Sequence, residues 1–164
     1  MELQVIIFSK DRACQTLSAM VAAAQYEWIA LLDVDDWWEP SKLEKQAQFL
    51  GKYDVIGTHC QYFGELTGSP NIPAGPIHPD EFRRHNRIIN SSAVLRKADA
   101  CWDPEYSLLY DYDLWVRLNA KGRSFYNLKE KLTHHRIHQA SCYNSSVGQK
   151  LQRLRLCKER NLIP

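Results

Sequence analysis

No stretch of this 164-residue chain approaches the ~20 consecutive apolar residues that a bilayer-spanning helix requires, so a membrane-spanning protein is not expected. Charge of one sign is also missing: 21 Lys+Arg against 19 Asp+Glu leave a net +2. That is too weak to mark nucleic acid as a partner, which needs basic residues concentrated on one face. Paired cysteines are absent. Cys14, Cys60, Cys101, Cys142 and Cys157 are odd in number and scattered, with no C-x-x-C. Neither a disulfide framework nor a zinc knuckle follows, and reduced thiols are the plain reading. The opening Met1-Glu2-Leu3-Gln4 has no basic segment and no long apolar core of a signal peptide. Repeats are lacking too. A cytoplasmic, soluble protein is expected, forming a single domain over residues 1–164 around one ordinary core.

What is present is an alternation of short apolar runs and helical patterns. Leu3–Phe8 (LQVIIF) reads as a buried strand. Residues 16–25 are Ala-rich, with Leu17, Met20, Val21 and Ala24 at helical spacing. Residues 28–32 (WIALL) form a second buried strand, and Pro40-Ser41 opens a helix to about Leu50 with Leu43, Ala47 and Leu50 on its apolar face. Residues 54–63 read as a strand. Between Gly64 and Pro79 the Gly and Pro residues crowd together, as in a long loop that is either a functional lid or a surface excursion. Residues 88–95 read as a strand and 111–119 as a helix burying Leu114, Trp115 and Leu118. Residues 123–128 and 132–138 read as the last strands. A basic helix from 147 to 160 carries Lys150, Arg153, Arg155, Lys158 and Arg160. Its Leu151, Leu154 and Leu156 suit either an anionic membrane surface or the protein itself. This order predicts an α/β fold with a mostly parallel sheet flanked by helices.

Asp33-Val34-Asp35-Asp36 follows the WIALL strand directly. In open α/β sheets ligands bind beyond the carboxyl ends of the strands. Three carboxylates in four residues repel one another unless a cation or partner neutralises them. A hard divalent ion such as Mn²⁺ or Mg²⁺ takes carboxylate oxygens and commonly completes its shell with phosphate oxygens. A solvated turn is the alternative reading of the same string.

Residues 27–46 (EWIALLDVDDWWEPSKLEKQ) resemble the signature of the family 2 inverting glycosyltransferases of GT-A fold. The second half agrees in order and spacing: Asn90-Ser91-Ser92, Trp102-Asp103-Pro104-Glu105-Tyr106, the DYDLWVRL run from Asp111 to Leu118, and Arg136-Ile137-His138-Gln139-Ala140-Ser141. The resemblance spans roughly residues 14–145 and implies a GT-A-like nucleotide-diphospho-sugar transferase. It implies a nucleotide-diphosphate sugar as donor and a glycan, lipid-linked or protein hydroxyl as acceptor. Asp35 is then the metal ligand and Asp33 a ribose or metal-side contact, with Asp36 supporting. His138 completes the metal site or touches a phosphate, and Arg136 pairs with the diphosphate. Asp111, opening the Asp-Tyr-Asp-Leu-Trp helix, is the general base, and Asp113 is structural. An N-capping role is the plainer alternative for Asp111. Trp37 and Trp38 either border the sugar or pack on the following helix.

Two departures qualify this. Tyr110 stands where the family usually has Glu. Only one strand and one helix precede the acidic cluster, so part of the N-terminal nucleotide-binding unit is lacking. Leu3–Phe8 is either the family's first strand, with residues 9–13 in the nucleotide loop, or a later strand with the base-recognition half missing. Three functions stay open: an active glycosyltransferase, a truncated and catalytically weak sugar-nucleotide- and metal-binding module or partner subunit, and a different metal-dependent phosphoryl-transfer or hydrolytic enzyme. In the first two, another chain or a second copy would complete the nucleotide site, and the basic helix offers a peripheral membrane contact.

Overall fold

The computed structural model describes residues 2–9, 13–138 and 146–162. Lys10, Asp11 and Arg12 of the expected nucleotide loop, Cys142, and the Gln139-Ala140-Ser141 end of the last motif lie outside them. In chain order the elements are β1 (Leu3–Phe8), α1 (Ala13–Ala23), β2 (Trp28–Asp33), β3 (Trp37–Trp38), α2 (Lys42–Ala47), β4 (Val55–Gly64), β5 (Gly75–Pro76), β6 (Val94–Arg96), α3 (Tyr110–Ala120), β7 (Phe125–Ile137) and α4 (Ser146–Glu159), with short 3-10 turns between several of them.

The seven strands form one sheet in the order β1-β2-β6-β4-β7-β3, with β5 paired to β7. The two longest ladders, β1–β2 and β4–β7, are parallel, and the shorter ones are antiparallel. The sheet is therefore mixed, with its parallel character carried by the long strands.

Both faces are covered where the sheet is central, which is why β2 reads as an unbroken apolar run. Its Ile29 and Leu31 face a cluster with Leu17 and Val21 of α1, Leu114 and Trp115 of α3, and Leu156 of α4. Its Trp28 and Ala30 face a smaller cluster under α2 with Ile56, Leu128 and Leu132. At the sheet's edge the same kind of run behaves differently. Ile6 and Phe8 of β1 are buried, but Val5 and Ile7 are 38% and 51% exposed. The expectation of a buried strand is corrected to a half-buried one, because among the described residues no strand flanks its outer side.

Two other boundaries differ from expectation. Residues 90–92 form a 3-10 turn, and the strand begins only at Val94. The two final strands are one continuous β7, whose parallel register against β4 shifts around His59. In α2, Leu43, and past its end Leu50, pack partly buried against the smaller cluster as expected, but the deepest side chains are polar: Lys42 and Gln46 are fully buried. Gln46 donates to the carbonyls of Ile56 (2.7 Å) and Ser92 (2.8 Å). Lys42 donates to Gln46 (2.8 Å) and sits 3.8 Å from the Trp38 ring centre. Burial alone holds the Lys42 ammonium well below its usual pKa. α2 thus satisfies backbone carbonyls that would otherwise be stranded beneath it.

The 64–79 segment is a pinned wall rather than a loose excursion. Asn127, fully buried, donates to the carbonyls of Pro73 (3.1 Å) and Arg87 (2.9 Å). Gly57 leaves room for that side chain, since a Cβ there would run into Asn127 Oδ1 and meet Ile88 and Ser92 at 3.2 Å. Gly57→Ala is expected to cost ~1–3 kcal/mol by overpacking, read as a lowered thermal midpoint. An unchanged midpoint would show that Asn127 moves aside freely.

Candidate active site

The carboxyl end of β2 delivers Asp33 to the wall of a cavity of about 1010 Å³. Opposite walls come from residues 69–72, from 85–91, from the segment 108–112 that opens α3, and from α4. The Asp33 backbone N–H donates to Ser91 Oγ (3.1 Å), and Trp38 Nε1 donates to the Ser91 carbonyl (2.6 Å). The 3-10 turn therefore clamps the acidic segment from below. Trp38 is a packing residue, and Trp37, 46% exposed, stacks flat on His134 at 3.5 Å. Neither indole lines the cavity.

β3 explains how a histidine a hundred residues away reaches the acidic cluster. Its antiparallel pairing puts Trp37 opposite His134, so the residues beyond His134 run past the carboxylates. Asp36 is fully enclosed: Oδ1 accepts the Arg136 backbone N–H (2.8 Å), and Oδ2 accepts from His135 Nδ1 (2.8 Å). Asp35 and His138 form a second, more open pair, Oδ2 to Nε2 3.0 Å, with side chains 19% and 34% exposed. Donor atoms of Asp33, Asp36 and His135 lie within 4.8 Å of one another. The structure thus brings Asp35 to His138 but groups Asp33 with Asp36 and His135. The Arg136 side chain is exposed, on the same strand alternation as His138.

Asp111 stands at the first turn of α3. Its Oδ1 accepts the Tyr112 N–H (2.7 Å), and its Oδ2 accepts from Asn86 Nδ2 (2.8 Å). Burial pushes its pKa above the usual carboxylate value, against the pull of those two hydrogen bonds and of His135. The helix start favours the ionised form less than burial opposes it. Asp113, two residues on, points into the protein and is fully buried. It pairs with Arg117 (2.7 Å) and with Arg160, the residue after α4 (2.9 Å). Tyr110 is buried edge-on to Phe8, with ring centres 6.3 Å apart, and borders the cavity.

Two of these residues were not singled out from sequence, His135 and Asn86. β-strand alternation separates His135 from His134 and His138, a signal present in the string HHRIH. Asn86 lies in an irregular stretch and has no local signal.

The family model for glycosyl transferase family 2 matches residues 3–116. The chain belongs to that family. Among its curated relatives, the chain is 30% identical over 135 residues to a protein of Bacillus subtilis (strain 168) named "Putative glycosyltransferase EpsE". The match covers 76% of this chain and 48% of EpsE. It is 27% identical over 148 residues to the Escherichia coli UDP-Glc:alpha-D-GlcNAc-diphosphoundecaprenol beta-1,3-glucosyltransferase WfaP, covering 83% of this chain and 57% of WfaP. Its fold superposes on Staphylococcus aureus TarS 1–349, crystallised with UDP-GlcNAc, with a TM-score of 0.63 at 14% identity, over 88% of this chain and 45% of TarS. The chain therefore spans about half the length of the curated relatives it matches. The GT-A-like α/β architecture is the one the sequence implied.

Cys14, Cys60, Cys101 and Cys157 are free thiols. Among the described residues no helix is long and apolar enough to cross a membrane.

Proposed function

We propose that this family 2 glycosyltransferase moves a sugar, with inversion, from a nucleotide-diphosphate sugar to a hydroxyl of a glycan, lipid-linked or protein acceptor, as a single domain over residues 1–164. The observation that carries this reading is that one cavity has Asp33 on one wall and Asp111 on another. The first is a donor-side carboxylate. The second is a carboxylate of raised pKa, placed to take a proton from an acceptor hydroxyl on the opposite face of the sugar.

The spacing of Asp35 and His138 suits a divalent ion, Mn²⁺ or Mg²⁺. Asp35 Oδ2 and His138 Nε2 are 3.0 Å apart, the spacing of adjacent ligands around an octahedral ion at ~2.1 Å. Asp35, Asp33 and His138 are the ligands proposed, with Asp36 holding β7 against the motif. When bound, the ion supplies Lewis acidity that offsets charge on the departing diphosphate. Arg136, exposed beside His138, is read as a diphosphate contact. The open flank of β1, with Val5 and Ile7 exposed, is read as the side on which another chain or a second copy completes the nucleotide-base wall.

WfaP by its name uses UDP-Glc, and TarS was crystallised with UDP-GlcNAc, so uridine donors are the first to screen here. Titration calorimetry with a panel of nucleotide sugars is expected to show binding in Mn²⁺ that EDTA abolishes. No binding of any uridine, guanosine or thymidine sugar in either Mn²⁺ or Mg²⁺ would sink the donor reading.

A further inference from the structure

Most arginines of the chain are spoken for. Arg87, Arg96, Arg117, Arg123, Arg155 and Arg160 all have carboxylate partners. Two cations that border the cavity do not: among the described residues, no carboxylate pairs with Lys150 or Arg153. Both lie on α4, three residues apart and hence adjacent on its surface, and both line the cavity wall.

The helix is held there from two sides. Gln152, between the two cations, accepts the Leu108 backbone N–H (3.0 Å), three residues from Asp111. Arg153 donates to the Arg84 carbonyl, two residues from the Asn86 that holds Asp111. His85, also on the wall, feels this field. Its pKa is lowered by desolvation and then by Arg87, Arg153 and Arg84. The donor end of the cavity is acidic and the end beyond Asp111 is basic, a polarity that a neutral acceptor would not use.

We propose that the acceptor is anionic, carrying a phosphate or diphosphate ester that Lys150 and Arg153 hold while Asp111 faces its hydroxyl. The proposal rests on the reading of Asp111 as the acceptor-side base. Two adjacent cations match a group bearing more than one negative charge better than a single carboxylate. The outward side of α4 adds a feature that bears on the source. Leu151 and Leu154 are 64% and 63% exposed and share their helix face with Lys158, while Leu156 is buried in the core. The apolar pair thus shares a face with a lysine instead of opposing it, as suits a helix at an anionic lipid surface.

The test is a titration in EDTA, so that no divalent ion contributes, with decyl diphosphate, inorganic diphosphate, decyl glucoside and decanoate as probes. Both diphosphates are expected to bind. Lys150→Glu, at a residue with no described bond to lose, should weaken both at least about ten-fold at an unchanged thermal midpoint. A double Lys150→Ala/Arg153→Ala variant should do the same, and Lys121→Glu, distant on the surface, should leave binding within about two-fold. Tighter binding of decyl diphosphate that falls in Leu151→Ser/Leu154→Ser assigns a lipid-borne acceptor. Equal binding of the two diphosphates assigns a soluble phosphate ester. Decanoate or decyl glucoside binding as tightly as the diphosphates overturns the proposal, as does indifference to Lys150→Glu. Diphosphate binding of the expected kind in a chain that binds no nucleotide sugar with Mn²⁺ would sink the donor reading alone and leave this subsite standing.

Discussion

Asp111→Asn is expected to lower sugar transfer by ~10²–10⁴-fold, the range for loss of a positioned general base, while metal-dependent nucleotide binding survives. The surroundings of Asp111 make the substitution informative. Asn86 donates to it through Nδ2, and Asn86 Oδ1 is occupied by the Ile88 N–H (3.2 Å). The Asn86 amide therefore cannot turn over without losing a bond. An asparagine at 111 must aim its own NH₂ at one of two donors, Asn86 or the Tyr112 N–H, costing ~1–3 kcal/mol of stability. Binding and thermal midpoint are measured alongside rate, so that a folding defect is not mistaken for a chemical one. Transfer within about ten-fold of wild type, or nucleotide binding lost in step with it, would remove Asp111 from the base role.

The pH profile gives a second reading of the same residue. Burial raises the Asp111 pKa, and the hydrogen bonds from Tyr112 and Asn86 and the charge of His135 lower it. The base works when ionised, so transfer is lost as pH falls through that raised pKa, at a higher pH than for an ordinary carboxylate. Asn86→Ala removes a donor that favours the ionised form, and the acid limb should move further up. A limb that stays in place would show that Asn86 only packs.

What the sequence disclosed and what it hid separate along a physical line. The end of a buried strand, a carboxylate string and a helix opened by Asp-Tyr-Asp are local signals, and Asp33, Asp35 and Asp111 were legible from them. Asp113 was legible as structural for the same reason: it stands two residues from Asp111 on a helix, and so points elsewhere. His135 depends on non-local strand pairing, and Asn86 on a side-chain contact with Asp111 across 25 residues. The β4–β7 ladder shifts register near His59, and the two-residue β3 lays the end of β7 across the acidic motif. Neither event leaves a mark in a window of ten residues. The apolar face of α2 was legible in part, since Leu43 and Leu50 pack against the smaller cluster. Hydrophobic periodicity gives no sign of Lys42 and Gln46, which lie deeper because Gln46 answers two buried carbonyls. β1 was misread because an edge strand and a central one can share one composition, and only neighbours decide which is covered.

The two Asp–His pairs beside the cavity differ in a way that predicts opposite phenotypes. Asp35 and His138 are partly exposed, and a partly exposed contact of that kind contributes only ~0–1 kcal/mol to stability. Asp35→Ala and His138→Ala should therefore fold at nearly unchanged midpoints. They should weaken Mn²⁺-dependent nucleotide binding by ~10–100-fold or more, since even residues one shell removed from a metal matter by that much. Asp36 is completely buried, with both oxygens engaged by the protein's own donors. Asp36→Ala strands the Arg136 N–H and the His135 ring. It should cost ~1–3 kcal/mol for each unsatisfied group, lowering the midpoint by ~2–4 °C per kcal/mol, and it disturbs nucleotide binding only through the fold. Metal titrations and melting curves on the same three variants separate the roles. If Asp36→Ala instead abolishes Mn²⁺ binding at an unchanged midpoint while Asp35→Ala binds normally, the ion belongs with Asp33, Asp36 and His135, whose donor atoms already lie within 4.8 Å of one another.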